Sequence, residues 1–262
     1  MIEFGRVARP WYSRWAPNGV VDAVVQISLW FAAYYLYRLV RGVVDGETAA
    51  AFAHARSVVD FERGLGLFFE PGFQQLAAHH FKWLIDVSNV CYVNFHLFGT
   101  TTFLLWLYFR RNDAFCFVRN MFLIAMTIAL AGYMLFPTAP PRFLPELGFT
   151  DTITKMIGHE PANTANVLYN PYAAVPSMHV AFALMLGFAG ARLVRSRVLK
   201  TAFYGYPVWV TLVTIITANH FWIDSVLGAV AAAAAYALAL QAAKARPHVW
   251  AFRRALGHEV AA

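Results

Sequence analysis

The chain has 262 residues, of which 60% are hydrophobic and only 13% are charged, and its formal net charge is +7. Soluble domains contain roughly 45–50% apolar and about 25% charged residues, so this composition argues against a soluble helical globule and predicts a multi-spanning membrane protein. The positive charge is explained by membrane topology and anionic headgroups, so no nucleic-acid partner is expected.

Six apolar runs are long enough to be membrane spans, and each is predicted to be a helix because the bilayer interior offers backbone groups no other partner. In chain order they are residues 19–41, 82–109, 113–136, 175–195, 199–219 and 221–243. The predicted fold is therefore an all-α integral membrane bundle of six transmembrane helices. Residues 19–243 are predicted to form the membrane domain, between a cytoplasmic N-terminal segment (1–18) and a basic cytoplasmic C-terminal tail (244–262).

The connection between the first two spans, residues 42–81, is too polar to cross a membrane but has a helical pattern. Ala49 to Leu67 and Phe68 to His79 are predicted to be short helices that lie at the membrane interface. Two roles fit them, a lid or lateral gate for a lipid substrate and plain structural packing. The packing role is favoured.

Polar residues recur along the second span at intervals of three and four, so that Asp86, Asn89, Tyr92 and His96 share one helical stripe. Polar groups at membrane depth are predicted to face the bundle interior and to hydrogen-bond one another. A structural network is therefore favoured over a catalytic role. Asp22, in the first span, is predicted to pair with this network.

Lys and Arg residues are concentrated on one side of this topology. The side that holds both termini and the turns near 111 and 197 carries 14 of the 21 Lys and Arg residues, Arg119 among them. By the positive-inside rule this side is cytoplasmic. The two long connections, 42–81 and 137–174, are then extracytoplasmic, and the membrane is expected to be a bacterial plasma membrane.

Two histidine-bearing segments, one ending at His179 and one containing His220, lie 41 residues apart. The stretch Val180 to Ala218 between them is mostly apolar, with one basic break at residues 192–200. This pattern predicts a helical hairpin that returns His220 to the level of His179. Both histidines then lie on the extracytoplasmic side.

His220 and Asp224 are spaced i, i+4, so on a helix both would project from one face. An aspartate bound to one imidazole nitrogen orients the ring and stabilises its charged form. That pairing makes a histidine a good nucleophile toward phosphorus, through a phospho-histidine intermediate. The alternative is a buried His–Asp pair that serves only structure.

The other candidates would bind phosphate or move a proton. Ser177 and His179 lie at a predicted helix start, where phosphate oxygens bind readily, and His179 there suits a general acid. The guanidinium of Arg142 suits the oxygens of a transferring phosphoryl group. The alternatives are Ser177 as a simple helix cap, His179 as an interfacial histidine, and Arg142 as an arginine that reaches lipid phosphates.

Two histidines and an aspartate can also hold a metal ion. No further ligand cluster accompanies them in the sequence, so a metal-independent reaction without a cofactor is predicted. The chain contains neither a glycine-rich phosphate loop nor a G-x-S-x-G elbow, and nucleotide use and serine hydrolysis therefore lack support.

Three stretches, PTAPPR (137–142), NPYAAVPSMH (170–179) and ANHFWID (218–224), resemble the motifs of the type-2 phosphatidic acid phosphatase superfamily. Within it, the resemblance is to the branch that contains inositol phosphorylceramide synthases. It extends over roughly residues 20–240. Weaker similarity covers Asn89, Tyr92, His96 and the stretch from Glu62 to Glu70.

The resemblance implies a six-helix membrane fold that acts without a metal on a lipid phosphate or phosphodiester. It assigns His220 as the nucleophile, Asp224 as its orienting partner and His179 as the acid for the leaving group. Ser177 and Arg142 would contact the phosphate. Water or an alcohol would accept the phosphoryl group.

This chain departs from the lipid phosphatases of that superfamily. They usually have Lys-x6-Arg-Pro in the first motif, of which Pro-Pro-Arg142 remains, and Ser-Arg ahead of the third-motif histidine, where this chain has Val213 and Thr214. Met178 replaces the glycine common in the second motif. The loss of two cations fits a phosphodiester donor, which carries less charge than a monoester dianion.

The prediction is a membrane lipid phosphotransferase with an alcohol acceptor. The first alternative is a lipid phosphate phosphatase that uses water, and the second is a non-enzymatic transporter or scaffold on the same fold. The intact histidines and Asp224 argue against the second. The lipid, the headgroup, the acceptor and the oligomeric state are not indicated by the sequence.

Overall fold

The computed structural model describes residues 17–43, 48–157 and 172–246, apart from the side chains of residues 40–43 and 95–96. Within these residues the chain forms nine α-helices. They are α1 (Val20–Val43), α2 (Thr48–Gly64), α3 (Glu70–His80), α4 (Lys82–Arg110), α5 (Asn112–Leu135), α6 (Thr152–Ile157), α7 (Met178–Leu193), α8 (Arg197–Ile216) and α9 (Trp222–Ala245). Helix accounts for 83% of the described residues and no strand occurs among them, which confirms the all-α prediction. Most of the two predicted terminal segments lies outside the described residues.

Each of the six predicted spans corresponds to one helix. Four of these helices, α1, α5, α8 and α9, are long and apolar enough to cross a membrane. Helix α4 adds a fifth if its two halves, which are bent by 55°, form one span. Helix α7 is apolar but shorter, with 16 residues. It begins three residues later than predicted because Ser177 caps its first turn.

Helices α7, α8 and α9 form the centre of the bundle, where α7 packs against both α8 and α9, and α5 packs against α9. Two glycines allow the start of α7 to lie close to its neighbours. A Cβ atom on Gly132 of α5 would lie 2.6 Å from Cδ of Pro176, and one on Gly228 of α9 would overlap the carbonyl oxygen of Ser177. The absence of side chains at these two positions therefore places the His179 segment against α5 and α9.

Gly228→Ala is expected to destabilise the protein, because the added methyl group must displace the backbone of Ser177. Overpacking of this kind costs about 1–3 kcal/mol. The matched control is Gly205→Ala in α8, where an added Cβ meets no atom within 4 Å. Thermal inactivation in detergent should begin at a lower temperature in the Gly228 variant only. Equal inactivation curves for the two variants would contradict this packing.

The predicted interfacial helices are α2 and α3. The buried face of α2, formed by Ala51, Ala55, Val58 and Val59, belongs to one apolar cluster with residues around the later motifs, including Ala139, Leu144, Phe149, Ala218 and Phe221. Apolar side chains that face away from this cluster are exposed, among them Phe61, Leu65, Leu67 and Phe69. These contacts support the packing role for α2, which holds the connections near the site together.

The first and second motifs meet through their backbones. Thr138 and Ala173 form an isolated parallel bridge, in which the N–H of Thr138 donates to the carbonyl of Tyr172 at 2.7 Å and the N–H of Ala174 donates to Thr138 at 3.3 Å. The N–H of Ala139 donates to the carbonyl of Ala51 in α2 at 3.1 Å. The connection that follows α5 is therefore tied to both α2 and the residues before α7.

The prediction that Asp86 faces the bundle interior is wrong. Asp86 is exposed because it lies in the second turn of α4, near the end of the bundle. Asn89 is buried and pairs with Thr152 of α6. Its side-chain N–H donates to the Thr152 carbonyl at 3.1 Å, and the Thr152 hydroxyl donates back at 2.9 Å. Tyr92 contributes to the candidate site, and the side chain of His96 lies outside the described residues.

Asp22 does not join that stripe either. Its carboxylate accepts hydrogen bonds from Tyr108, near the opposite end of α4, at 2.9 Å and from Gln26 at 3.1 Å. The fully buried Arg119 donates to Gln26 and to Asn120. Arg119 therefore lies inside the bundle, where buried polar partners satisfy its guanidinium, and it is removed from the count of charges on the predicted cytoplasmic side.

Candidate active site

The hairpin of α7 and α8 places the imidazole rings of His179 and His220 beside each other, with centroids 5.8 Å apart and an angle of 59° between the ring planes. Tyr92 of α4 stacks on His179 at 4.2 Å, with 23° between the planes, and its ring centroid lies 6.4 Å from that of His220. The tyrosine ring thus restricts where the His179 imidazole can lie. Sequence reasoning treated Tyr92 as structural and did not predict this contact.

His220 lies in the turn between α8 and α9, two residues before α9 begins. The expectation that His220 and Asp224 project from one face of a helix is therefore wrong. The N–H groups of Asn219 and His220 both donate to the carbonyl of Thr214, at 3.0 and 3.3 Å. Ala218 in this turn has a φ of 52°, a left-handed conformation that costs a non-glycine residue about 1–2 kcal/mol. Such strain is often found at functional sites.

Asp224 explains why the helix begins after His220. Its Oδ2 atom accepts a hydrogen bond from the N–H of Phe221 at 2.9 Å, which caps the first turn of α9. The same oxygen lies 3.4 Å from Nδ1 of His220. Both side chains are buried, and Oδ1 of Asp224 has no hydrogen-bond partner among the described residues. The pair therefore forms across a helix cap, and Nε2 lies on the opposite edge of the imidazole ring.

The starts of α7 and α9 meet at the site. The N–H of Ser177 donates to the carbonyl of Asp224 at 3.0 Å, and the Ser177 hydroxyl accepts from the N–H of Val180 at 3.5 Å as the cap of α7. Ser177 is fully buried, whereas His179 in the first turn of α7 is partly exposed. The start of α7, with the positive end of its helix dipole, thus lies beside the histidines and favours an anion there.

Arg142 lies in a short 3-10 turn after α5, and its side chain is 6% exposed. Its backbone N–H donates to the carbonyl of Ala218 at 2.8 Å, which ties it to the turn that holds His220. Its guanidinium contacts Asp151 at 3.2 Å and lies 4.4 Å from the centre of the Phe143 ring. Sequence reasoning missed Asp151, since no periodic pattern or motif marks an acidic residue nine positions after Arg142.

Two further glutamates lie at the start of α9, and sequence reasoning gave them no role. Glu62 of α2 and Glu70 of α3 are fully buried. Oε1 of Glu70 accepts from the N–H of Trp222 at 3.0 Å, and Oε1 of Glu62 accepts from the N–H of Ile223 at 3.2 Å. Burial, followed by the neighbouring Glu70 carboxylate, raises the pKa of Glu62 to about 9. The only sequence signal was the weak family similarity of the stretch from Glu62 to Glu70.

Within the described parts of the chain, no three His, Cys, Asp or Glu side chains are arranged so that they could hold a metal ion. The arrangement that does occur consists of a histidine paired with a buried carboxylate, a second histidine and an arginine. Such a set can supply a nucleophile, a proton donor and a binding group for a phosphate.

A comparison with protein-family models matches residues 56–238 to the PAP2 superfamily. No curated protein and no solved structure gave a significant match. The matched stretch covers more than half of the chain and includes all five predicted site residues. It supports phosphatase- or phosphotransferase-type activity on phosphate esters, and the apolar helices agree with an enzyme that resides in a membrane. The chain therefore belongs to the PAP2 superfamily.

Proposed function

We propose that the protein is a membrane lipid phosphotransferase, which moves a phosphoryl group or a headgroup-phosphate from a lipid to an alcohol through a phospho-histidine at His220. The observation that carries this proposal is the contact of His220 Nδ1 with the buried carboxylate of Asp224, beside the second imidazole of His179. A buried aspartate on Nδ1 leaves Nε2 to attack phosphorus and stabilises the positive ring that results. The 3.4 Å separation is loose, as is common before a substrate binds.

In the first half-reaction, the Nε2 lone pair of His220 attacks phosphorus and the bond to the leaving oxygen breaks. His179, protonated at the start, gives its proton to that oxygen. In the second half-reaction, the neutral His179 takes the proton of the acceptor hydroxyl while its oxygen attacks phosphorus. The bond from Nε2 to phosphorus then breaks and His220 returns to its neutral state. No metal or other cofactor takes part in this scheme.

The phosphate is proposed to bind beside the start of α7, at its junction with α9, because the first N–H groups of α9 itself are already bound by carboxylates. Ser177 lies at that junction through its hydrogen bond to the Asp224 carbonyl, and we assign it a contact with a phosphate oxygen. The backbone N–H of Arg142 binds the carbonyl of Ala218, in the turn that holds His220. Its planar guanidinium suits the equatorial oxygens of the transferring phosphoryl group, on which charge must be stabilised. Asp151 orients this guanidinium in the structure.

A lipid chain has a place next to this site. The side chain of Tyr206 lines both a small cavity beside His179 and an open groove of about 610 Å³ between α4, α7 and α8. The walls of the groove are mostly apolar and include Phe98, Phe103, Trp106, Leu186 and Phe203. Burial of apolar chain surface there would retain a lipid while its phosphate reaches the histidines. This supports a lipid over a soluble phosphate ester as substrate.

The site is proposed to face the outside of a bacterial plasma membrane, with both termini in the cytoplasm. Removal of the buried Arg119 leaves 13 of the 14 Lys and Arg residues assigned to the cytoplasmic side, so the asymmetry that supports this orientation persists. The test is protease treatment of sealed, right-side-out vesicles. Cleavage within residues 137–174 supports the proposed orientation, and cleavage only after the vesicles are opened contradicts it.

A phosphatase that uses water is the second candidate, because PAP2 superfamily members are generally phosphatases. Its first half-reaction would be the same. Purified protein should be given phosphatidylinositol or a phosphorylated polyprenol, with and without an alcohol acceptor. A product that forms only with the alcohol identifies the transferase. Inositol phosphate from phosphatidylinositol, or inorganic phosphate from the polyprenol phosphate, that forms without the alcohol identifies the hydrolase. Turnover that persists in His220→Ala would overturn the nucleophile in both schemes.

A further inference from the structure

We propose that Glu62 and Glu70 are positioning residues, which clamp the first turn of α9 so that Asp224 stays in place against His220. The inference rests on the proposed role of His220 and adds two residues to it. Neither glutamate touches the reacting atoms in the scheme above. Both would act through the backbone of α9.

Three successive backbone N–H groups at the start of α9 are bound by three carboxylates from three different helices. Phe221 donates to Asp224 of α9 at 2.9 Å, Trp222 donates to Glu70 of α3 at 3.0 Å, and Ile223 donates to Glu62 of α2 at 3.2 Å. A helix start is ordinarily satisfied by one short local side chain. Here two of the three partners come from 152 and 161 residues earlier in the chain.

The clamp itself is rigid because its members are buried and locally bound. Both glutamates have no exposed surface. The second carboxylate oxygen of Glu70 accepts from the N–H of Phe69 at 3.0 Å, which fixes the side chain at the start of its own helix. Carboxylates at a helix N-terminus are also favoured by the helix dipole. The start of α9 is therefore attached to α2 and α3 as well as to α8.

The catalytic pair lies within reach of this clamp. His220 lies two residues before Trp222, the first residue whose N–H is bound by a glutamate, and Asp224 follows Ile223 directly. A shift or tilt of the first turn of α9 therefore changes the separation of Nδ1 and Oδ2. Because a misplacement of about 1 Å can cost on the order of 100-fold in rate, the clamp is expected to affect the chemical step rather than substrate binding.

The two glutamates are expected to hold one proton between them. Neighbouring buried carboxyl groups do not all ionise together, and the pKa of Glu62 is raised to about 9 by burial and by Glu70. At neutral pH Glu62 is thus protonated, and it resembles glutamine in shape and in its hydrogen-bonding groups. The neighbouring Glu70 carboxylate can accept a hydrogen bond from this proton. Glutamine at position 62 should therefore preserve the role of Glu62, whereas leucine should not.

The effect of pH has a defined sign. The pKa of Glu62 rises from its ordinary value of 4.5 to about 9 in the folded protein. The stability associated with its proton is fully present below pH 4.5 and is lost as the pH rises toward about 9. Other charged or titratable groups on α2 and on the segments near it include His54, Arg56, Asp60, Arg63, Glu70, Arg142, Glu146, Asp151, Tyr172, His220 and Asp224. None of these groups is removed in Glu62→Gln. A fall of kcat near pH 9 that disappears in this variant is therefore caused by the titration of Glu62.

The experiment compares Glu62→Gln and Glu62→Leu with the matched control Asp60→Asn, an exposed carboxylate two residues earlier on α2. With phosphatidylinositol and an alcohol as substrates, Glu62→Gln should keep kcat at pH 7 and lose the fall near pH 9. Glu62→Leu should lower kcat by about 10- to 100-fold, with KM nearly unchanged. Wild-type kcat in Glu62→Leu would overturn the clamp. A kcat as low in Glu62→Gln as in Glu62→Leu would overturn the protonated state.

A second measurement does not depend on turnover. The rate at which diethyl pyrocarbonate modifies His220 at pH 7 can be followed by mass spectrometry, with gel filtration to verify folding. This rate should be the same in wild type and Glu62→Gln and should rise in Glu62→Leu, where Asp224 is less well held. If the wild type lacks phosphotransfer yet the variants differ in this way, the proposed function fails and the clamp stands. Equal modification rates in all variants would overturn the clamp even in an active enzyme.

Discussion

His220→Ala is expected to lower turnover by on the order of 10⁴-fold or more, because it removes the atom that attacks phosphorus. The change should appear in kcat, since the groups proposed to bind the phosphate remain. His179→Ala should cost less, about 10²- to 10⁴-fold, because a leaving group can still depart without a positioned acid. Initial rates with a phospholipid donor in detergent measure both effects.

The matched control for these variants is His79→Ala, which removes an exposed histidine from the end of α3. Its rate should equal that of the wild type. If His220→Ala retains a rate within about tenfold of this control, the histidine is not the nucleophile, and the pair with Asp224 serves structure alone.

Asp224→Asn is expected to lower kcat by about 10²- to 10⁴-fold while the protein stays folded. The asparagine oxygen can still accept the N–H of Phe221, which now bonds to Asp224 at 2.9 Å, so the cap of α9 is retained. What is lost is the negative charge that stabilises the imidazolium, because the oxygen position that binds Phe221 is also the one that faces Nδ1 of His220. Single-turnover rates separate this effect from changes in product release.

Asp224→Ala provides the comparison, because it removes the charge and the cap together. Loss of a cap costs about 0.5–2 kcal/mol of stability, so the alanine variant should inactivate at a lower temperature than the asparagine variant. Their rates should be similarly low. If Asp224→Asn turns over like the wild type, the carboxylate is only a helix cap, and the structural interpretation of the His–Asp pair is correct.

The helices of the bundle were predictable because each apolar run is a local signal. The predicted spans begin and end within three residues of α1, α4, α5, α7, α8 and α9. The largest difference at a helix start occurs at α7, where Val175 and Pro176 remain outside the helix. How deeply a residue lies along a helix is less visible from the sequence, which is why Asp86 was assigned to the interior and Arg119 was counted with the charges of the cytoplasmic side.

The site was only partly predictable. The spacing of His179 and His220 across an apolar hairpin indicated their proximity, and the ring centroids lie 5.8 Å apart. The i, i+4 spacing of His220 and Asp224 suggested a shared helix face, but the aspartate caps the helix and forces it to begin later. The contacts of Glu62 and Glu70 join residues more than 150 positions apart. No periodic pattern in a single sequence reports such contacts.

In the proposed mechanism, phosphorus is bonded to His220 during turnover. The direct measurement uses phosphatidylinositol with a radiolabelled phosphate, a short incubation without acceptor, an alkaline quench and peptide mapping. The label is expected on the peptide that contains His220, stable to alkali and labile to acid, absent from His220→Ala and discharged when an alcohol is added. Turnover without a labelled enzyme, or a label on another residue such as His179, would contradict the account.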